Sequence, residues 1–137
     1  MTVTPHPAAV DHQMPMIAII DDNAAVREAV RFLLHTYGFT VVTYESGAEF
    51  LAEVPSIALL IVDQDMPGLS GLQVVRRFRR AVSATAPVLM FGAVLGPDIA
   101  AQAADLGVTR VLHKPVALDL VEAVQSAIAP TECSPKT

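Results

Sequence analysis

The sequence predicts an α/β fold: a parallel sheet covered by helices on both faces. Three observations predict it. Five short apolar runs alternate with five helical patterns, in the order βαβαβαβαβα. The runs are almost continuously apolar instead of alternating with polar residues, as strands buried on both faces require. The chain has 137 residues, which suits one domain able to bury a core without disulfides or a structural metal.

The elements follow in order. Met16–Ile20 is the first strand. Val26, Ala29, Val30, Leu33, Leu34 and Tyr37 then recur at helical spacing, with Asn23 as N-cap and Gly38 just past the end. Thr40–Tyr44 is the second strand, and Ser46-Gly-Ala-Glu49 is a capping box that opens a short helix at Phe50 and Leu51. Ile57–Val62 is the third strand. Ser70-Gly-Leu-Gln73 is a second capping box, and Gly71, Val74, Val75, Phe78 and Val82 form the inner stripe of its helix. Val88–Phe91 is the fourth strand, followed by an Ala-rich helix with Pro97 in its first turn and a stop at Gly107. Val108–Leu112 is the fifth strand. Ala117, Leu120, Val121, Val124 and Ile128 mark the last helix, ended by Pro130. Residues 1–15, with three prolines, two histidines and no periodicity, are expected to be a flexible arm. Residues 16–129 form the domain, and 130–137 a short tail.

Composition narrows the function. Fourteen acids against nine basic residues give a net charge of −5, which argues against a dedicated nucleic-acid-binding face. Mean hydropathy is +0.48, apolar for a small domain, yet no run approaches the ~18–20 residues needed to span a bilayer. The first residues lack the basic and then apolar stretches of a signal peptide. The single cysteine, Cys133, excludes a disulfide framework and a Cys-based zinc site and suits a reducing compartment. A cytoplasmic protein without membrane or direct nucleic-acid contact is expected.

In parallel sheets, ligands bind beyond the carboxyl ends of the strands, near the switch in strand order. Three charged features sit at such ends: Asp21-Asp22 after the first strand, Asp63-Gln64-Asp65 after the third, and Lys114-Pro115 after the fifth. Acids from the first and third strands repel if those strands are neighbours, and a hard divalent cation relieves the repulsion. A lysine opposite supplies a compact positive charge for a phosphoryl oxygen. Acids, cation and lysine together suit phosphoryl transfer, with an aspartate as nucleophile.

Here the sequence resembles the receiver domains of two-component response regulators. IIDDNAAVRE resembles their acidic-pair motif, LLIVDQDMPGLSG their phosphoacceptor motif and VLHKP their lysine-proline motif. The resemblance covers about residues 16–129. It implies a five-stranded parallel sheet in order 2-1-3-4-5, flanked by five helices. It implies Asp63 as phosphoacceptor, Asp22 as a direct ligand of Mg²⁺ (or Mn²⁺), Asp21 as a ligand through water and the backbone carbonyl of Asp65 as a further ligand. It also implies Lys114 as the phosphoryl contact and a cis bond before Pro115. The implied donor is a histidine kinase or phosphotransfer protein. The implied output is a downstream protein or a homodimer, through the face built by the fourth helix, fifth strand and fifth helix.

Two positions depart from the family. Gly92 stands where a Thr or Ser hydroxyl is usual, and Val111 where a Tyr or Phe ring is usual. These are the two coupled switch elements, so phosphorylation is expected to persist while its conformational consequence weakens or changes. The sequence ends within ten residues of the last helix, so a stand-alone receiver is expected unless an output domain has been cut away, and not an enzyme beyond handling its own aspartyl phosphate. Two other readings are a phosphorylation-independent interaction domain with a degenerate switch, and an aspartate-nucleophile phosphatase suggested by the Asp-x-Asp of IVDQD. The basic cluster Arg76, Arg77, Arg79 and Arg80 is expected to be a solvated helix face. The uncharged stretch Ala93-Val94-Leu95-Gly96 is expected to be a partner patch unless it folds back on the core.

Overall fold

The structure, a computed structural model, describes residues 16–114 and 118–128. The expected arm and tail, Cys133 and the Lys114–Pro115 bond lie outside the described residues. The elements are β1 (Met16–Ile20), α1 (Ala24–Thr36), β2 (Thr40–Tyr44), α2 (Gly47–Glu53), β3 (Leu59–Asp63), α3 (Gly71–Ala81), β4 (Val88–Gly92), α4 (Pro97–Asp105), β5 (Arg110–His113) and α5 (Leu118–Ile128). All strand pairs are parallel, in the order β2-β1-β3-β4-β5. The predicted fold class is therefore the observed one.

The period-2 alternation of strand side chains divides the core in two. Ile17, Ile19, Leu59, Ile61, Leu89 and Phe91 pack on one face against Val30 and Leu34 of α1 and Leu120, Val121 and Val124 of α5. Ala18, Ile20, Leu60, Val62, Val88 and Met90 pack on the other face against Phe50 of α2, Val74, Val75 and Phe78 of α3 and Ala103 of α4. Burying such an aliphatic side chain is worth about 1.5–3 kcal/mol. This two-sided burial is why β1, β3 and β4 read as unbroken apolar runs.

Local capping follows the sequence closely. The Asn23 side chain accepts from Val26 N at 3.1 Å. At α3 both halves of the Ser70/Gln73 box form, at 2.9 and 3.3 Å. At α2 Ser46 accepts from Glu49 N, but the Glu49 carboxylate reaches the Glu45 amide instead of closing the box on Ser46.

Other details differ from expectation. Tyr37 and Val82 follow the last residues of α1 and α3 as C-caps and are each 46% exposed. They leave the inner stripes because the helices end before them. β5 begins at Arg110, two residues later than predicted. The Val108 amide closes the end of α4 by donating to Ala103 O at 3.0 Å, and only from Thr109 does the chain join β4, donating to Val88 O at 2.8 Å.

The arginine cluster is not one solvated face. Arg77 and Arg80 are exposed, but Arg79 turns inward. Its guanidinium donates to the carbonyls of Leu106 (2.7 Å), Ala86 (2.7 Å), Gly107 (3.1 Å) and Ser83 (3.3 Å). None of these carbonyls is one that sequence spacing pairs with an arginine.

Candidate functional site

Strand register assembles the site. Ile20 pairs with Val62 across β1 and β3, so the next residues, Asp21 and Asp63, emerge side by side at the carboxyl end of the sheet. Both are fully buried. Lys114 follows β5 directly and its backbone N–H donates to Gly92 O at 2.9 Å. Its side chain crosses β4 to place Nζ 3.1 Å from Asp63 Oδ2 and 5.5 Å from the centre of the Phe91 ring. Burial lowers the pKa of Lys114, but the hydrogen bond and charge of Asp63, with the charges of Asp21 and Asp65, outweigh it and raise the pKa overall. The ammonium therefore stays charged at neutral pH.

Asp21, Asp22 and Asp63 bring one carboxylate oxygen each to within 4.8 Å of one another. Asp22 is exposed and forms the open side of the group. Asp21 Oδ1 accepts from Asn23 N at 2.9 Å. Its Oδ2 is buried with no hydrogen-bond partner among the described residues. An orphaned buried carboxylate oxygen beside two more carboxylates is costly without a cation. The donor set, all hard oxygen with one side open to water, fits Mg²⁺ or Mn²⁺. The carboxylate of Asp65 is not in this group. It turns toward β4 and accepts from Ala93 N at 2.9 Å, while the Asp65 N–H donates to Asp63 Oδ1 at 3.1 Å.

Two supporting residues escaped the sequence reading. Arg27 of α1 donates to Asp21 O at 2.8 Å and so fixes the turn that carries both acids. Gln64 organises the loop after β3. Its N–H donates to Phe91 O at 2.8 Å, its own carbonyl accepts from Met66 and Gly71, and its side-chain oxygen caps Leu72 N at 2.8 Å. A glutamine between two acids carries no spacing signal for this role.

Gly71 shows how tightly that loop is drawn. A Cβ there would meet Asp63 O at 2.7 Å and Gln64 Cα at 2.9 Å, both backbone atoms that cannot swing aside. Gly71→Ala is expected to cost about 1–3 kcal/mol and to shift Asp63. Urea unfolding checks the first effect and the ¹⁵N chemical shift of the Asp63 amide the second.

Of the two departing positions only Gly92 lies at the site end of the sheet, while Val111 pairs with Met90 in the middle of β4. Gly92 is the last residue of β4 and is buried. Val111 of β5 is half-buried against the face covered by α2, α3 and α4. No helix among the described residues is long and apolar enough to cross a membrane.

Comparison with known proteins agrees with this fold. The family model for the response regulator receiver domain matches residues 17–125. The transcriptional regulatory protein FixJ of Bradyrhizobium diazoefficiens is 32% identical over 124 residues, covering 88% of this chain and 60% of the regulator. This chain thus spans only part of the curated relatives it matches. A receiver domain protein of Clostridium thermocellum superposes with a TM-score of 0.75 at 31% identity, covering 84% of this chain and 94% of that one. The chemotaxis protein CheY4 of Vibrio cholerae gives 0.78 at 26% identity, covering 83% and 98%.

Proposed function

This chain belongs to the response regulator receiver family, and from that membership we propose that it accepts a phosphoryl group on Asp63 from the phosphohistidine of a kinase or phosphotransfer protein. The observation that carries this reading is the Asp63–Lys114 pair, 3.1 Å apart, beside the carboxylates of Asp21 and Asp22. An Asp63 carboxylate oxygen attacks phosphorus and the P–N bond to the donor imidazole breaks. The electron pair stays on the leaving nitrogen, which takes up a proton. Lys114 holds a phosphoryl oxygen as negative charge moves onto it.

Asp21, Asp22, Asp63 and the backbone carbonyl of Asp65 would hold a divalent cation. When bound, Mg²⁺ supplies charge neutralisation for the phosphoryl oxygens. The Asp65 amide keeps the acceptor carboxylate oriented by holding its other oxygen. The output of the phosphorylated state is contact with a downstream protein or with a second copy of this chain. The proposed surface is the α4–β5–α5 face, where Val94 is 77% exposed and Ala100, Ala101 and Ala104 face solvent. Light scattering with and without a phosphodonor separates these outputs, because only the second raises the mass.

Incubation with acetyl phosphate and Mg²⁺ is expected to add the mass of one phosphoryl group. The gain should vanish in Asp63→Asn and without a divalent cation. An unmodified wild-type protein under these conditions overturns the proposal and favours a phosphorylation-independent interaction domain. Sustained release of inorganic phosphate from a phosphomonoester would instead favour the phosphatase reading.

A further inference from the structure

Gly92 leaves room at the mouth of the site, and the structure fills it. A Cβ at position 92 would lie 2.9 Å from Leu95 Cδ2, 3.1 Å from Asp65 Oδ2 and 3.3 Å from Gln64 Cβ. The volume of the absent side chain is thus shared by the Asp65 carboxylate and the Leu95 side chain. Asp65 uses that position. Its Oδ2 accepts the N–H of Ala93, the first residue after β4, at 2.9 Å. Its own N–H is bonded to the acceptor residue, at Asp63 Oδ1. One residue therefore links the acceptor carboxylate to the start of the segment that leads into α4. That segment has little else to hold it: Ala93 and Val94 are exposed, and the Gly96 N-cap makes no side-chain hydrogen bond.

We propose that Asp65 and Gly92 together form a carboxylate latch that replaces the absent hydroxyl and ring as the element sensing the state of Asp63. With Asp63 unmodified, the Asp65 carboxylate sits against Gly92 and holds the Ala93 amide. A phosphoryl group on Asp63 carries about 1.5 to 2 negative charges where the carboxylate carried one, and it extends that charge toward Asp65, two residues away. Like charges in a partly buried site repel strongly. The carboxylate leaves the Ala93 amide, that N–H becomes free to bind a phosphoryl oxygen, and Leu95 loses one wall of its seat. The first turn of α4 and exposed Val94 then move. Glycine at 92 favours the latch, because a Cβ there would crowd the carboxylate in its latched position, 3.1 Å from Asp65 Oδ2, and shift it away from the Ala93 amide.

This inference rests on the phosphoacceptor reading, and two measurements keep the two separable. The first uses the unmodified protein. Amide exchange of Ala93, followed by ¹⁵N NMR, is expected to be at least about tenfold faster in Asp65→Ala and in Gly92→Ala than in wild type. The double variant should go no further, as groups acting through one contact require. Asp65→Asn keeps an acceptor oxygen and should protect Ala93 as wild type does. Equal Ala93 exchange in wild type and Asp65→Ala overturns the latch whatever Asp63 does.

The second measurement adds beryllofluoride and Mg²⁺ as a phosphoryl mimic. Wild type should show shifts both at residues 63–65 and across 93–99. Asp65→Asn, which has lost the charge but not the contact, should keep the former and lose most of the latter. Shifts at 63–65 without shifts at 93–99 in wild type overturn the latch and leave the phosphoacceptor reading standing. No shift at 63–65 overturns that reading and the sensing role with it, while the exchange experiment still decides whether the contact exists.

Discussion

Asp21→Asn is expected to stabilise this protein in divalent-free buffer at pH 7.5, raising its thermal midpoint by roughly 10 °C. The side chain is fully buried, and burial is the main cause pushing its pKa from 3.8 up to about 6. The Asn23 N–H opposes that rise, the charge of Asp63 adds to it and Lys114 opposes it. The sign follows from linkage. A carboxyl group whose folded pKa is raised contributes stability that is complete below its unfolded value and is lost as pH rises through the folded value. Here the window runs from about pH 4 to above pH 6. At pH 7.5 the wild type therefore carries a buried charge with one unpaired oxygen, costing about 3 kcal/mol at 1.36 kcal/mol per pKa unit. Asparagine keeps an acceptor for the Asn23 amide and removes the charge. For a domain of this size each kcal/mol moves the midpoint by several degrees.

The advantage of the variant should shrink toward pH 4. Added Mg²⁺ should stabilise wild type much more than Asp21→Asn. Calorimetry over pH 4–8 checks all three statements. A variant less stable than wild type at pH 7.5 without divalent ions would sink the argument. On this view the acidic end of the sheet stores a repulsion that a bound cation would release.

Arg79→Ala is expected to cost about 3 kcal/mol. The guanidinium ties the end of α3 to Ser83 and Ala86 before β4 and to Leu106 and Gly107 before β5. Hydrogen bonds to a charged group are worth about 1.5–3 kcal/mol each before losses from solvent access and side-chain ordering. Because Arg79 is only partly buried, the four bonds together fall well short of their sum. Arg79→Lys should recover less than half, since an ammonium cannot reproduce the planar fork. Arg77→Ala and Arg80→Ala, on exposed positions, should stay within about 0.5 kcal/mol. Urea midpoints of the four variants test this. A loss below 1 kcal/mol in Arg79→Ala would show that the turns before β4 and β5 hold without it. The proposed phosphoryl acceptance should survive, because the clamp lies at the opposite end of the sheet from Asp63.

Much of the site could be read before any coordinates. Asp21, Asp22, Asp63 and Lys114 each follow an apolar strand, and that position alone places them at one edge of a parallel sheet. What they do there was not equally legible. The two neighbouring acids at 21 and 22 look alike in sequence, yet one is buried with an orphaned oxygen and the other is exposed. Gln64 and Asp65 look like turn residues, yet one organises the loop and the other reaches across to β4. Gly92 reads as a lost hydroxyl. Only the packing shows what occupies its space.

The sequence by itself determined the order of elements, their caps and the strand ends that carry charge. These depend on burial period and on hydrogen bonds between residues a few positions apart, such as Asn23 to Val26 or Ser70 to Gln73. The tertiary structure decided the contacts of the proposed latch and of the frame. Asp65 to Ala93 and Arg79 to Leu106 join residues 28 and 27 positions apart. Asp65 comes within reach of Ala93 only once β3 and β4 pair with Asp63 opposite Phe91. The physical reason is that local spacing encodes which backbone groups meet within a turn, whereas a long-range contact depends on register, on the volume left by a missing side chain and on which charges burial leaves unpaired.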